Sequence, residues 1–174
     1  MSITLEQLSK YKNPIFIETG TYTGITVQKA LDAGFEEIHS IEISPTWHEK
    51  ARHTYADQEH VNLHLGNSAD VLRELLPQIT RSATLWLDAH NFEFCPEKIV
   101  HGNACPLLDE LECLCLYPQF INTILIDDLP NFDFFNYDIE DVKTACLEIN
   151  DGFVFSILQN RNRENQILVA RMRK

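Results

Sequence analysis

An acidic residue and two spaced glycines follow a short apolar run near the start of the chain. Residues 15–24 read IFIETGTYTG, so that Glu18 comes directly after the apolar run, and Gly20 and Gly24 follow two and six residues later. An uninterrupted run of β-prone residues is typical of a strand that is buried on both faces. The sequence therefore predicts a strand, a tight turn and a helix N-terminus, which is where open α/β sheets bind nucleotide-like ligands.

The spacing of the two glycines separates two classes of ligand. The dinucleotide fingerprint G-x-G-x-x-G is not matched between Gly20 and Gly24, which disfavours a pyrophosphate site. Gly20 would let the backbone approach a ligand, and Glu18 could accept a hydrogen bond from a ligand's ammonium group, directly or through water. A plain strand-to-helix turn without a ligand is the alternative.

Carboxylates also follow the fourth and fifth strand-like segments. Asp88-Ala89-His90 comes after ATLWL, and Asp127-Asp128 comes after INTILI. Three carboxylates that converge at one edge of a sheet repel one another unless a cation or a shared proton intervenes. Hard oxygen ligands favour Mg²⁺ or Ca²⁺ over zinc, while solvated carboxylates without a metal are the alternative.

Alternating strand-like and helix-like segments would position these residues. The strand-like segments are residues 15–17, 37–43, 61–65, 83–87 and 121–126. Apolar residues recur at helical spacing between them, and Ser68 is predicted to cap the third of these helices. Residues 129–137, which include four aromatic residues, are predicted as a loop that either lines an acceptor pocket or packs down on the core.

The end of the chain breaks the alternation. Phe153–Leu158 and Gln166–Met172 are strand-like, and the polar turn between them is too short for a helical crossover, which predicts an antiparallel hairpin. The predicted fold class is therefore α/β, a Rossmann-like seven-stranded mostly parallel sheet with helices on both faces and a C-terminal antiparallel β-hairpin. We expect residues 1–174 to form a single domain.

With this pattern the chain resembles the class I S-adenosylmethionine (SAM)-dependent methyltransferases, whose seven-stranded sheet ends in such a hairpin. The resemblance runs from about residue 15 to the C-terminus. It is strongest to a bacterial methyltransferase-like group with an ETGTYxG opening, an LDAH strand end and a CPLLDEL helix, and it assigns no substrate. Similarity to the metal-dependent catechol-type O-methyltransferases is more distant.

The resemblance implies that the ends of the first strands bind SAM. Glu18 and Gly20 would hold the methionine end, and Glu42 would accept hydrogen bonds from both ribose hydroxyls. Asn67 stands where the family usually has Asp, and its carbonyl could accept a bond from the adenine amino group while its amide donates to a ring nitrogen. The implied cofactor-binding residues are Glu18, Gly20, Thr21, Tyr22, Gly24, Glu42, Ile43, Asn67, Ser68 and Asp88.

Two residues are implied as catalytic, Asp88 and His90. His90 is the candidate general base because it lies beside Asp88 and titrates near neutral pH, the alternative being a loop histidine that only bonds a carboxylate. In catechol-type enzymes an Asp and an Asp-Asn pair bind a divalent cation that orients the acceptor hydroxyl and lowers its pKa. Asp88, Asp127 and Asp128 fall on those positions, with Asp128 replacing Asn, and the lysine of that family is Asn91 here.

A zinc site is an alternative for the long loop that follows the fourth strand. His90, Cys95, His101 and Cys105 are zinc-type ligands, but their spacing matches no compact zinc motif. Cys105-Pro106 would more simply begin the following helix.

The composition restricts the partners. A net charge of −12 argues against a nucleic-acid backbone as the partner and favours a neutral or cationic small molecule. No stretch approaches the roughly 18 apolar residues of a membrane span, and the polar first residues do not resemble a signal peptide, so we expect a cytoplasmic protein. The oligomeric state is left open, with a homodimer as one option.

The leading hypothesis is a SAM-dependent O-methyltransferase that acts on a small hydroxylated acceptor, such as a sugar or a phenol-like group. Methyl transfer requires the sulfonium carbon and the acceptor oxygen to be held in line, so positioning supplies most of the rate. One alternative is a module that binds SAM or S-adenosylhomocysteine without catalysis. Another is a nucleotide-dependent oxidoreductase.

Overall fold

The computed structural model describes residues 3–90, 105–160 and 163–173, in which strands and helices alternate as the sequence predicts. The strands are β1 (Ile15–Thr19), β2 (Glu37–Glu42), β3 (Val61–Leu65), β4 (Ala83–Leu87), β5 (Ile121–Ile126), β6 (Phe153–Asn160) and β7 (Arg163–Met172). The helices are α1 (Leu5–Lys10), α2 (Ile25–Asp32), α3 (Pro45–Thr54), α4 (Ser68–Leu75), α5 (Leu107–Leu116), α6 (Phe132–Phe135) and α7 (Ile139–Ile149).

The described strands form a seven-stranded sheet in the order β3-β2-β1-β4-β5-β7-β6. The first five strands are parallel to one another, whereas β7 is antiparallel to both β5 and β6. The predicted fold class is thereby confirmed. β1 lies at the centre of the parallel strands. The chain passes from β1 to β2 on one side of it and later returns to β4 on the other side of β1. This reversal leaves a crevice at the carboxyl ends of β1 and β4.

Two hydrophobic cores cover the two faces of the sheet. Ile15 and Ile17 of β1 pack in the core formed with α4, α5 and α7, whereas Phe16 packs in the core formed with α1, α2 and α3. Successive side chains of a strand point to opposite faces, so this division is what a strand between two helical layers requires. All five residues of β1 are buried, which explains its uninterrupted apolar sequence.

Three local predictions were wrong. Asn67, and not Ser68, caps α4, because the Asn67 side chain accepts bonds from the backbone amides of Ala69 and Asp70. The aromatic segment is not a plain loop, since a 3₁₀ turn at Leu129–Asn131 leads directly into α6. The polar residues 159–165 are mostly strand, because β6 continues to Asn160 and β7 already begins at Arg163.

Within the described ranges, every helix is too short or too polar to cross a lipid bilayer.

Candidate active site

The glycine loop between β1 and α2 has a backbone conformation that few residues other than glycine adopt. Gly20 and Gly24 have φ angles of 84° and 77°, and Tyr22 between them is also left-handed, with a φ of 47°. A Cβ atom on Gly20 would lie 2.7 Å from the carbonyl oxygen of Asp88. Glycine is therefore needed at position 20 because the loop packs against the backbone at the end of β4.

Glu18 is fully buried at the end of β1. Its Oε1 accepts a hydrogen bond of 2.6 Å from the Ser40 hydroxyl, which also bonds the hydroxyl of Thr21. Its Oε2 is buried and has no hydrogen-bond partner among the described residues. Burial raises the pKa of Glu18 to about 8, and the charge of Glu42 adds to this, while the Ser40 hydrogen bond and Lys29 oppose it. Glu18 therefore carries a proton at neutral pH unless a positive group binds beside it.

The carboxylate of Glu42 joins the glycine loop to the start of α3. Oε2 accepts a 2.7 Å hydrogen bond from the Tyr22 amide, and Oε1 accepts a 2.8 Å bond from the Ser44 amide. A carboxylate oxygen has two lone pairs, so each oxygen can accept one further bond. The two amides fix the orientation of this carboxylate at the end of β2, where the sequence places a ribose-binding acid.

Tyr22, which the resemblance implies as a cofactor-binding residue, forms an aromatic pair with Trp47, which the sequence does not indicate as part of the site. Their ring centroids are 4.5 Å apart, and the ammonium group of Lys50 lies 3.8 Å from the Trp47 ring centroid. The tyrosine side chain remains about half exposed. In the sequence Trp47 is only one of the apolar residues at helical spacing in α3, and no feature of its local sequence indicates its contact with the loop.

Asn67 lies at the end of β3, where the resemblance places adenine recognition. Its side-chain oxygen accepts hydrogen bonds from the amides of Ala69 at 3.0 Å and Asp70 at 3.4 Å. The carbonyl expected to accept from the adenine amino group is thus engaged in capping α4, and its NH₂ group is the part that can donate to a ring nitrogen. Of the other two residues implied at these strand ends, Ile43 is half-buried and Ser68 is buried.

Asp88, His90 and Asp128 converge at the ends of β4 and β5. His90 Nδ1 lies 3.5 Å from Asp88 Oδ1, and His90 Nε2 lies 3.1 Å from Asp128 Oδ2. One ligand-type atom from each of the three residues lies within 4.8 Å of the other two, which is close enough to hold one ion. Among the described residues, Asp127 is not a member of this group, although the sequence places it with Asp88 and Asp128.

The electrostatics of this group favour a cation. Burial raises the pKa of Asp88, and the charges of Asp127 and Asp128 raise it further. The pKa of Asp127 is raised to about 6, first by burial. Burial lowers the pKa of His90, against the attraction of Asp128, so its imidazole is neutral and can act as a ligand. An added positive charge would relieve the repulsion among the carboxylates.

Glu110 is the main site residue that the sequence interpretation missed. It lies on α5, is 1% exposed, and its Oε1 is buried without a hydrogen-bond partner among the described residues. It faces a cavity of about 20 Å³ that it shares with the Asp88–His90–Asp128 group. The signal was present, because Leu107, Glu110 and Leu111 are spaced as one apolar face of a helix, so an acid there must be buried.

Apolar and aromatic side chains also line the cavity. Phe132 is buried, and Phe135 faces His90 with their ring centroids 6.1 Å apart. Phe134, by contrast, is 76% exposed and is not among the residues that line the cavity. The cavity is lined by Leu87, Asp88, Ala89, His90, Cys105, Leu107, Glu110, Ile126, Asp127, Asp128, Phe132 and Phe135.

The zinc alternative is only partly within the described structure. Cys95 and His101 lie outside the described residues, as does Asn91. Burial raises the pKa of Cys105 to about 11, so that its thiol is protonated at neutral pH and is a poor zinc ligand. Among the described residues, His90 groups with two aspartates and not with a cysteine.

Comparison with solved structures identifies the fold. The O-methyltransferase TomG of Streptomyces achromogenes, solved with SAM, has a TM-score of 0.65 at 14% identity, with 98% of this chain and 82% of TomG covered. The methyltransferase PaMTH1 of Podospora anserina, bound to S-adenosylhomocysteine, has a TM-score of 0.63 at 12% identity, with 98% and 76% covered. A Streptococcus mutans protein in complex with S-adenosylhomocysteine has a TM-score of 0.62 at 12% identity, with 99% of both chains covered.

No protein-family model matches the sequence, and no curated protein is significantly similar to it. The three solved structures contain SAM or its demethylated product, and they share the arrangement of this chain over nearly its whole length. The chain therefore has the class I methyltransferase fold.

Proposed function

We propose that the protein is a SAM-dependent methyltransferase that transfers a methyl group to a hydroxyl of a small-molecule acceptor. The observation that carries the proposal is the continuous edge of the sheet along which Glu18, Glu42 and Asn67 end successive neighbouring strands. The same edge continues into the cavity at Asp88 and Glu110. Cofactor and acceptor would therefore meet at the crevice between β1 and β4.

The residues at this edge fit the polar groups of SAM. The buried Oε2 of Glu18 has an unfilled capacity for hydrogen bonding, which the ammonium group of the methionine end can fill. Glu42 keeps a lone pair on each oxygen after its two amide bonds, which suits a ribose with two hydroxyls. Asn67 can donate its NH₂ group to a ring nitrogen of adenine while its carbonyl caps α4.

The Asp88–His90–Asp128 group supplies the acceptor side of the proposal. A divalent cation held there would orient an acceptor hydroxyl and lower its pKa. The imidazole of His90 departs from the all-oxygen ligand set expected from the sequence, so Mn²⁺ and Zn²⁺ join Mg²⁺ and Ca²⁺ as ions to test. Asp127 lies next to Asp128 and contributes negative charge to the same site. This field and the net charge of −12 support a neutral or cationic acceptor.

Calorimetry with SAM, S-adenosylhomocysteine and NAD tests the cofactor part of the proposal. We expect the first two to bind, and Glu42→Ala to weaken SAM binding by about tenfold or more, since it removes hydrogen bonds to a charged acceptor. Glu49→Ala, which changes an exposed acid on α3, is the control and should leave the affinity unchanged. Unchanged affinity in Glu42→Ala would contradict the role of Glu42, and NAD binding without SAM binding would overturn the proposal.

A methyl-transfer assay with catechol, phenol and glucose tests the enzymatic part. Transfer to one of these acceptors is the expected result, and loss of transfer on chelation would assign a role to the cation. Tight binding of SAM without transfer to any acceptor would favour the non-catalytic binding module instead.

A further inference from the structure

Glu110 occupies a position on α5 that would ordinarily hold an apolar residue. Leu107, Leu111 and Leu114 lie on the same face of the helix and are buried in the core that α5 forms with α4 and α7. Burying a carboxyl group among them is costly unless its polar atoms find partners. The side chain is nevertheless 1% exposed, and its Oε1 has no hydrogen-bond partner among the described residues.

The Glu110 side chain borders the site as well as the core. Glu110 lines the same cavity as Asp88, His90 and Asp128. The cavity has a volume of about 20 Å³, and an acceptor hydroxyl that enters it would lie among these side chains.

We propose that Glu110 is the catalytic base that accepts the proton of the acceptor hydroxyl, an inference that rests on the proposed methyltransferase function. The acceptor oxygen forms a bond to the methyl carbon while the carbon–sulfur bond of the sulfonium breaks. The electron pair of that bond stays on sulfur, which becomes the neutral thioether of S-adenosylhomocysteine. The hydroxyl proton passes to the Glu110 carboxylate and leaves to solvent after product release.

His90 is less suited to this role than the sequence indicates. Both of its ring nitrogens face carboxylates, Nδ1 toward Asp88 at 3.5 Å and Nε2 toward Asp128 at 3.1 Å. An imidazole in this arrangement orients the two carboxylates or binds an ion, and it offers no ring nitrogen to the acceptor. Glu110 lies on α5, lines the same cavity and is not a member of the Asp88–His90–Asp128 group.

The proton affinity of Glu110 is suited to a base that works at neutral pH. Burial raises the pKa of Glu110 to about 7, with a contribution from Asp109, while the Ser68 and Thr19 hydroxyls oppose the rise. The other titratable groups around the cavity are Asp88, His90, Cys105, Asp127 and Asp128. A base whose pKa lies near the working pH combines a large ionised fraction with a useful affinity for the proton.

Glu110→Gln tests the inference, because it keeps the shape of the side chain and removes the proton acceptor. Glu112→Gln, an exposed change on the same helix, is the matched control. With catechol, phenol and glucose as acceptors, we expect Glu110→Gln to lower kcat by about a hundredfold or more, the usual contribution of a general base. SAM affinity measured by calorimetry should change by less than about twofold, as in the control.

Two further readouts distinguish a base from a structural residue. The rise of kcat/KM with pH near 7 in the wild type should be absent in Glu110→Gln. In Glu110→Ala, added formate should raise kcat by about tenfold or more, since a small carboxylate can enter the space vacated by the side chain.

The outcomes separate the inference from the proposed function. If the wild type methylates an acceptor and Glu110→Gln does so at the same rate, the inference is wrong and the proposed function stands. If Glu110→Gln binds SAM poorly or unfolds, and formate does not restore activity to Glu110→Ala, the residue is structural and the inference is also wrong. If the wild type neither binds SAM nor methylates any of the three acceptors, the proposed function fails and the inference fails with it.

Discussion

Replacing Glu18 by Gln should make the stability of the protein less sensitive to pH. Glu18 is fully buried, and burial raises its pKa from 4.5 to about 8. The folded state therefore holds a proton that the unfolded state has released between these two pH values. Stability falls as the pH rises through this window, and Gln, which does not titrate, removes that loss.

The magnitude follows from the size of the rise in pKa. At about 1.4 kcal/mol for each pH unit between 4.5 and about 8, ionisation of Glu18 costs about 5 kcal/mol above pH 8. At pH 7 the same relation gives about 3 kcal/mol, because most of the window has been crossed. Below about pH 4.5 the cost is absent, since the side chain is protonated in both states.

Urea unfolding of the wild type and of Glu18→Gln at several pH values from 4.5 to 8 measures this difference. The free energy of unfolding of the variant, relative to the wild type, should increase with pH by several kcal/mol over this range. Ser40→Ala is an informative partner, because the Ser40 hydroxyl donates to Glu18 and holds its pKa down. In the wild type it should extend the loss of stability to a pH above about 8, with the same slope, and it should have no such effect in Glu18→Gln.

A difference between Glu18→Gln and the wild type that stays constant with pH would refute the reasoning. A constant loss would mean that the carboxyl group is held by bonds that Gln cannot replace, and not that it resists ionisation.

Three further predictions concern the loop, the cation group and the cofactor. Gly20→Ala should lower the free energy of unfolding, measured with urea, by about 2 kcal/mol or more, because it adds a backbone clash to the cost of a left-handed φ. The loss should be smaller for the control Gly34→Ala, whose added Cβ meets only the end of a lysine side chain. Asp128→Asn should weaken the binding of Mn²⁺, measured by calorimetry, by about tenfold or more, whereas the exposed change Asp133→Asn should not. Equal affinities for Mn²⁺ in Asp128→Asn and the wild type would remove Asp128 from the cation group. SAM binding at pH 7 should release a proton, because the ammonium group of SAM favours the ionised form of Glu18. Calorimetry in buffers of different ionisation enthalpy detects this release. Binding without proton release would mean that the ammonium group does not lie beside Glu18.

The succession of strands and helices along the chain and the position of the glycine loop could be predicted from the sequence because both depend on local patterns. The buried run before Glu18 and the glycines after it are determined by neighbours in the chain. The capping of α4 could not be assigned in the same way. Asn67 and Ser68 are both good capping residues, and only the extended backbone at Asn67, with ψ of 135°, decides between them.

The acceptor side of the site depends on contacts between residues that are distant in the sequence. His90 lies between Asp88 and Asp128 because β4 and β5 are neighbours, and sequence alone does not indicate which of two adjacent aspartates turns toward it. Glu110 could have been identified from its place among leucines on one face of α5. Its approach to the cavity, however, follows from the packing of α5 against the strand ends.

A crystal structure of the protein with S-adenosylhomocysteine tests the central claim most directly, because it locates the ligand relative to the strand ends. We predict ribose hydroxyls within hydrogen-bond distance of the Glu42 carboxylate, the adenine beside Asn67, and the sulfur atom directed toward the cavity at Asp88 and Glu110. Density for the ligand away from these strand ends, or no binding at millimolar concentration, would contradict the account.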